Sequence, residues 1–179
     1  DHVDISNIDA VLPKIILACK ELSGSIGIKI IPGAELTHIP PERISAMVKR
    51  ARQLGAKLVL VHGETISEPV APGTNNAALK CDIDILTHPG LITKEDAALA
   101  AKKGICLEIT TRKSHAFTNG HVVNFARMTG AKLVLNSDSH TPENIISPKQ
   151  AETIALGSGL TAKETKALRK NAQFLLDNR

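Results

Sequence analysis

The chain contains no tryptophan and no tyrosine, and aromatic residues make up only 2% of it. Its core must therefore rest on Ile, Leu, Val and Ala, and recognition of bases by stacking on aromatic platforms has little to work with. Cysteine is scarce too. Cys19, Cys81 and Cys106 are odd in number and form no CxxC. Each lies in an apolar context, which predicts reduced core residues of a cytoplasmic protein rather than a disulfide framework. No apolar run approaches the ~18 residues of a membrane span, and no signal peptide is visible. The nucleotide-binding fingerprints GxGxxG and GxxxxGKS/T are absent as well.

What remains is the composition of an ordinary globular domain. A chain of 179 residues, 42% hydrophobic and 22% charged, is long enough for one domain with a sizeable core. The net charge of +4 suits an anionic ligand, although a small lysine excess is also what a soluble surface carries.

One pattern repeats along the sequence. Short apolar runs at 27–31 ("GIKII"), 57–61 ("KLVLV"), 84–87 ("DILT"), 105–110 ("ICLEIT") and 132–135 ("KLVL") predict buried strands. Helical patterns alternate with them at 8–23, 41–55, 74–81, 93–104 and 119–130, and two more close the chain at about 148–156 and 161–177. Gly55, Gly104 and Gly130 stand where left-handed helix C-caps belong. The word "GAKLVL" occurs at 55–60 and again at 130–135, one βα unit used twice. Strict alternation predicts a parallel sheet with helical crossovers, either an open doubly wound sheet or a barrel.

The chemistry gathers at the ends of these runs. Glu35 comes after the first, His62 and Glu64 after the second, and His88 after the third. Glu108 sits inside the fourth, and Asp138 and His140 come after the last. A single histidine after a strand is ordinarily a hydrogen-bonded or surface residue. Five strands that each deliver a His, Asp or Glu at the C-terminal end form a set, and in a parallel barrel those ends meet on one face. Buried carboxylates and imidazoles are costly unless a cation compensates them. Mixed nitrogen and oxygen donors without thiolate suit zinc, manganese or iron better than calcium or magnesium. The two-residue spacing of Asp138 and His140 points both side chains to one side of an extended segment, as a metal clasp requires.

The words "DH" (1–2), "PGAE" (32–35), "VHGE" (61–64), "THPG" (87–90) and "SDSH" (137–140) resemble, in order and spacing, those of the PHP (polymerase and histidinol phosphatase) family. The resemblance spans the whole chain. It implies a distorted TIM-like barrel of seven βα units, with two or three divalent ions (zinc, manganese or iron) at its C-terminal face, hydrolysing phosphate esters. By the same resemblance His2, Glu35, His62, His88, Asp138 and His140 are metal ligands, with Glu35, Asp138 and His140 central to catalysis. The family opens on an HxH motif that residues 1–179 do not contain. The expectation is therefore a single PHP domain over 1–179, lacking its N-terminal strand or strands. A centre held by Glu35, His62 and His88 would then be complete, and one shared by His2, Asp138 and His140 would not.

The loop "TTRKSHAFTNGH" (110–121) supplies Arg112, Lys113 and His115 as candidate phosphate binders, with His121 beyond them. Arg112 leads because a guanidinium grips phosphate bidentately. The long, polar, proline-containing stretch 62–75 predicts a flap over the site, in which Glu64 orients His62 or is simply a loop acid. His38 lies at the same rim, as substrate contact or surface residue. The leading expectation is hydrolysis of a small phosphorylated molecule. A nuclease or nucleotide phosphoesterase, and a non-catalytic barrel like the RNase P subunits of this fold, are the alternatives.

Overall fold

Why these residues form their elements is visible first at the helix ends. In the computed structural model, which describes residues 1–178, Gly55, Gly104 and Gly130 all adopt the left-handed conformation at helix C-termini. Thr93, Ser147 and Thr161 accept a hydrogen bond from the first-turn backbone of the helices that they precede. The strands are β1 (His2–Val3), β2 (Gly33–Leu36), β3 (Leu58–His62), β4 (Ile85–Thr87), β5 (Cys106–Thr110) and β6 (Leu133–Asn136). The helices are α1 (Ile8–Ser25), α2 (Pro41–Leu54), α3 (Thr74–Leu79), α4 (Lys94–Lys103), α5 (Asn119–Thr129), α6 (Pro148–Gly157) and α7 (Ala162–Asp177). Both copies of "GAKLVL" serve alike, as a C-cap glycine and then a strand.

The expected strand over 27–31 does not form. Those residues lie outside the sheet, and Ile28 is 62% exposed. Pro32 has no N–H to give a ladder, so pairing begins only at Gly33 and places Glu35 inside β2 rather than after a strand.

All five ladders are parallel, and the order β1-β2-β3-β4-β5-β6 keeps that of the sequence without reversal. That order removes the doubly wound alternative, whose strand order must reverse at a switch point. One face of the sheet, with Leu36, Val59, Val61, Leu86, Leu107 and Ile109, packs under the helices in the main core. The period of two along each strand sends the alternate residues to the other face. Nearer the strand starts that face is apolar: Ile85, Cys106 and Val134 pack with Leu58 and Leu60 beneath Leu175 and Ala172 of α7. Toward the strand ends it carries His2, Glu35, His62, Thr87, Glu108 and Asn136. In a flat sheet β1 and β6 would stand roughly 24 Å apart, five spacings of ~4.8 Å. Yet the rings of His2 on β1 and His140 beyond β6 have centroids 5.4 Å apart. The strand ends and their loops converge on one point.

Convergence brings backbones together where glycine is required. Gly90 has φ +62°, and a Cβ there would run into the Glu64 carbonyl. Gly73 also has positive φ (+91°), but nothing stands within 4 Å of a Cβ added to it. Gly73→Ala should therefore cost about 1 kcal/mol of left-handed strain. Gly90→Ala should cost about 2–4 kcal/mol because overlap adds to strain. Urea unfolding of both variants measures the difference, and equal losses would show that the crossing of the two loops is looser than described.

Candidate metal centre

His62 ends β3, His88 comes just after β4, and His115 belongs to a short 3-10 turn after β5. All three are buried, and each offers a ring nitrogen within 4.8 Å of the others. The His88 and His115 rings stack at 4.3 Å, and His62 meets His88 edge-on at 4.5 Å. By sequence His115 stands with the phosphate binders Arg112 and Lys113. The fold instead turns it inward, because its loop folds back as a helical turn over the strand ends.

Hydrogen bonds to oxygens that only accept place the Nδ1 protons of His62 and His88. The Nδ1 of His62 lies 3.1 Å from the Gly63 carbonyl, which only accepts, so Nδ1 carries the proton and Nε2 a lone pair. The Nδ1 of His88 lies 3.0 Å from the Glu108 carboxylate, and Asn136 donates to the other oxygen of that carboxylate at 2.6 Å. His115 Nδ1 meets the Thr65 hydroxyl at 2.8 Å. In each case Nδ1 is engaged and Nε2 is left toward the common space, the arrangement by which supporting groups orient metal-binding imidazoles. The Nε2 of His88 is buried and has no hydrogen-bond partner at all. A buried ring nitrogen left without a partner is what a bound cation would satisfy in place of a proton.

A second group, His2, Asp138 and His140, also brings its donor atoms within 4.8 Å of one another. It is less enclosed, with His140 exposed. Glu35 stands between the two groups. Its Oε2 lies 3.5 Å from His2 Nε2, and its Oε1 lies 4.0 Å from His88 Nε2 and accepts from Thr87 Oγ1 at 2.6 Å. The carboxylate thus turns one oxygen toward each group. All three non-glycine residues with positive φ among the described residues, His38, His88 and Asp138, are at this end of the fold. Strain of that kind collects where geometry serves function.

Electrostatics match the geometry. Burial alone would raise the Glu35 carboxyl, but hydrogen bonds from His2 and Thr87 and the His88 charge reverse it, to about 2. Burial lowers His62. Burial, with the nearby His88 charge, lowers His115 to about 4. Burial also works against a charge on His88, yet the bond to Glu108 and the Glu108 and Glu35 charges leave it raised. His2 is raised by its hydrogen bond to Glu35. Asp138 is raised by burial and by the Glu35 charge.

Arg112 does not stand free. Its Nε lies 3.2 Å from Asp138 Oδ2, and its Nη1 donates to the Asp138 carbonyl at 3.1 Å. His140 Nδ1 lies 2.8 Å from Arg112 Nη1 and 3.0 Å from the Asp138 carbonyl, and it accepts from the first or donates to the second. Only the second leaves Nε2 as a ligand. Lys113 is exposed and lines, with Arg112, Ser114, Ser137 and His140, a polar recess of about 510 Å³. Glu64 does not orient His62: it accepts from the Asn75 backbone at 2.8 Å, and Asn75 donates in turn to the Pro89 carbonyl at 2.9 Å. His121 binds the Ile92 carbonyl and takes no part in the cluster. Exposed His38 lines an apolar cavity of about 230 Å³ beside His62. Glu68, which no sequence motif marks, reaches His62 and His115 from the stretch 63–73. Only its place in a loop opposite two strand ends hints at it.

Fold and site together define an α/β protein whose parallel strands gather a histidine-rich, metal-type centre at their C-terminal ends. The chain belongs to the same family as the uncharacterized protein MJ1295 of Methanocaldococcus jannaschii, with 47% identity over 166 residues, 92% of this chain and 76% of that protein. No protein-family model matches it. Among solved structures, a chain of the cryo-EM structure of archaeal ribonuclease P with mature tRNA is similar at a TM-score of 0.76 and 18% identity, covering 94% of this chain and 77% of that one. A crystal structure of an amidohydrolase is similar at a TM-score of 0.57 and 17% identity, over 90% of this chain and 44% of that one. These likenesses concern the fold. No helix among the described residues is long and apolar enough to cross a membrane.

The imidazole of His115 offers a direct check. In metal-free protein its NMR titration should fall near 4 rather than near 6.5. Between those values the unfolded chain binds a proton that the folded chain excludes. The stability tied to this side chain is therefore present above pH 6.5 and lost as pH falls toward 4. A midpoint near 6.5 would mean that His115 faces solvent, and one above it that the Glu68 charge outweighs burial.

Proposed function

We propose that this protein is a metal-dependent hydrolase acting on the phosphomonoester of a small molecule, and that it is a PHP-type domain whose curved sheet forms most of a distorted TIM-like barrel. The observation that carries this reading is Glu35 set between two clusters of ligand-type side chains, one oxygen toward each. Two or three divalent ions, zinc, manganese or iron, suit the mixed imidazole and carboxylate donors. Such ions, when bound, supply Lewis acidity and a water acidic enough to react near neutral pH.

The chain's own residues do the rest. His62, His88 and His115 turn Nε2 toward one buried space, held there by Gly63, Glu108 and Thr65. His2, Asp138 and His140 form the outer, accessible group. Arg112 and Lys113 line the recess beside it, where positive charge favours phosphoryl oxygens. Arg112 also holds the Asp138 carboxylate in place. The retained donor set argues for chemistry rather than for a bare scaffold.

A second reading has one observation behind it, the fold likeness to a chain of a ribonuclease P structure that contains tRNA. Assays with p-nitrophenyl phosphate, mononucleotides and end-labelled oligonucleotides, with and without chelator, separate the two. The small phosphomonoesters should be hydrolysed and chelator should abolish this. Cleavage of oligonucleotides alone favours a nuclease, and RNA binding without metal-dependent turnover favours a scaffold.

Asp138→Asn removes a charged donor at nearly constant shape. It should leave the far-UV circular dichroism unchanged and lower kcat for the phosphomonoester about 100-fold or more. Turnover equal to wild type in metal-replete buffer would make Asp138 a structural residue.

A further inference from the structure

The buried triad has a fourth neighbour that the PHP resemblance does not supply. Glu68 lies in the segment between β3 and α3, and its Oε2 is 3.4 Å from His62 Nε2 while its Oε1 is 3.5 Å from His115 Nε2. The segment is pinned on both sides of it. The Ser67 hydroxyl donates to the Ser114 carbonyl, Thr65 meets His115, and Asn75 joins Glu64 to Pro89. Glu68 is held over the triad.

As protein alone, this arrangement conflicts with itself. His62 carries its proton on Nδ1, facing the Gly63 carbonyl, so Nε2 presents a lone pair to a carboxylate oxygen, acceptor against acceptor. Protonating every ring would relieve that conflict but would set like charges on rings only 4.3 and 4.5 Å apart. The buried Nε2 of His88, which has no partner, faces the same space. A divalent cation among the three ring nitrogens would remove the conflict, and it would lie beside the Glu68 carboxylate, whose two oxygens reach His62 and His115.

We propose that Glu68 is the fourth protein ligand of the buried ion, completing a His62-His88-His115-Glu68 site of the kind zinc occupies. The inference rests on the reading of the triad as a metal site. With Glu35 Oε1 also reaching toward His88 Nε2, at 4.0 Å, the protein's own donors would fill the positions around that ion and leave none for substrate. Substrate is then met by the outer group of His2, Asp138 and His140, whose exposed His140 borders the polar recess. The buried ion's role is to hold the strand ends and to set the field around Glu35.

Zinc titration of the whole protein against a chromophoric chelator tests this with Glu68→Gln, Glu68→Ala and His115→Ala, together with the visible spectrum of the cobalt(II)-loaded forms. Glu68 is about half exposed on a loop, so neither of its variants should disturb the fold. Both should weaken the tight zinc site about 10–100-fold and change the cobalt bands, while the metal-free melting temperature stays put. If His115→Ala loses the tight site and both Glu68 variants match wild type in affinity and spectrum, Glu68 is not a ligand. If His115→Ala itself leaves zinc affinity unchanged, the triad is not a metal site and the proposal falls with it.

Discussion

The site depends above all on the hydrogen bond between His88 Nδ1 and Glu108, 3.0 Å long and buried. It turns the His88 ring so that Nε2 points into the shared space, and it gives a fully enclosed carboxylate a partner. Asn136 secures the other oxygen of that carboxylate from β6, so three adjacent strands are tied through one group. His88 also stands in a strained backbone conformation (φ 27°). The surrounding packing has to hold it there, and the tight crossing of Gly63 and Gly90 over neighbouring backbone forms part of that packing.

From that bond the rest of the centre extends across the sheet. The parallel order places each strand's last inward residue beside the next, and curvature brings the first and last strands together. Glu35 in the middle is kept ionised by His2, Thr87 and the His88 charge despite burial. The outer group differs in kind. His2 and His140 are both partly exposed, and Arg112 competes for the same Asp138 and His140 that would hold an ion. One group is therefore buried, and the other is partly exposed.

Much of this was legible in the sequence for a physical reason. Buried parallel strands are nearly continuous apolar runs, so the break to His62, His88, Asp138 or His140 marks where each strand leaves the core. C-cap glycines marked the ends of three helices equally well. Two things were not legible. The run 27–31 has strand composition, but Pro32 denies it a ladder and it stays outside the sheet. His115 and Glu68 sit in loops, where direction is decided by contacts distant in sequence, Thr65 with His115 and Ser67 with Ser114. No local periodicity reports those.

The central claim is that the Nε2 atoms of His62, His88 and His115 surround a metal ion. Crystals grown with zinc and measured on both sides of the zinc absorption edge test it most directly. An anomalous peak between those three nitrogens is the predicted result, with further peaks at the His2, Asp138 and His140 group when zinc is in excess. Full-occupancy zinc elsewhere on the molecule, with no peak among the three histidines, would contradict the account.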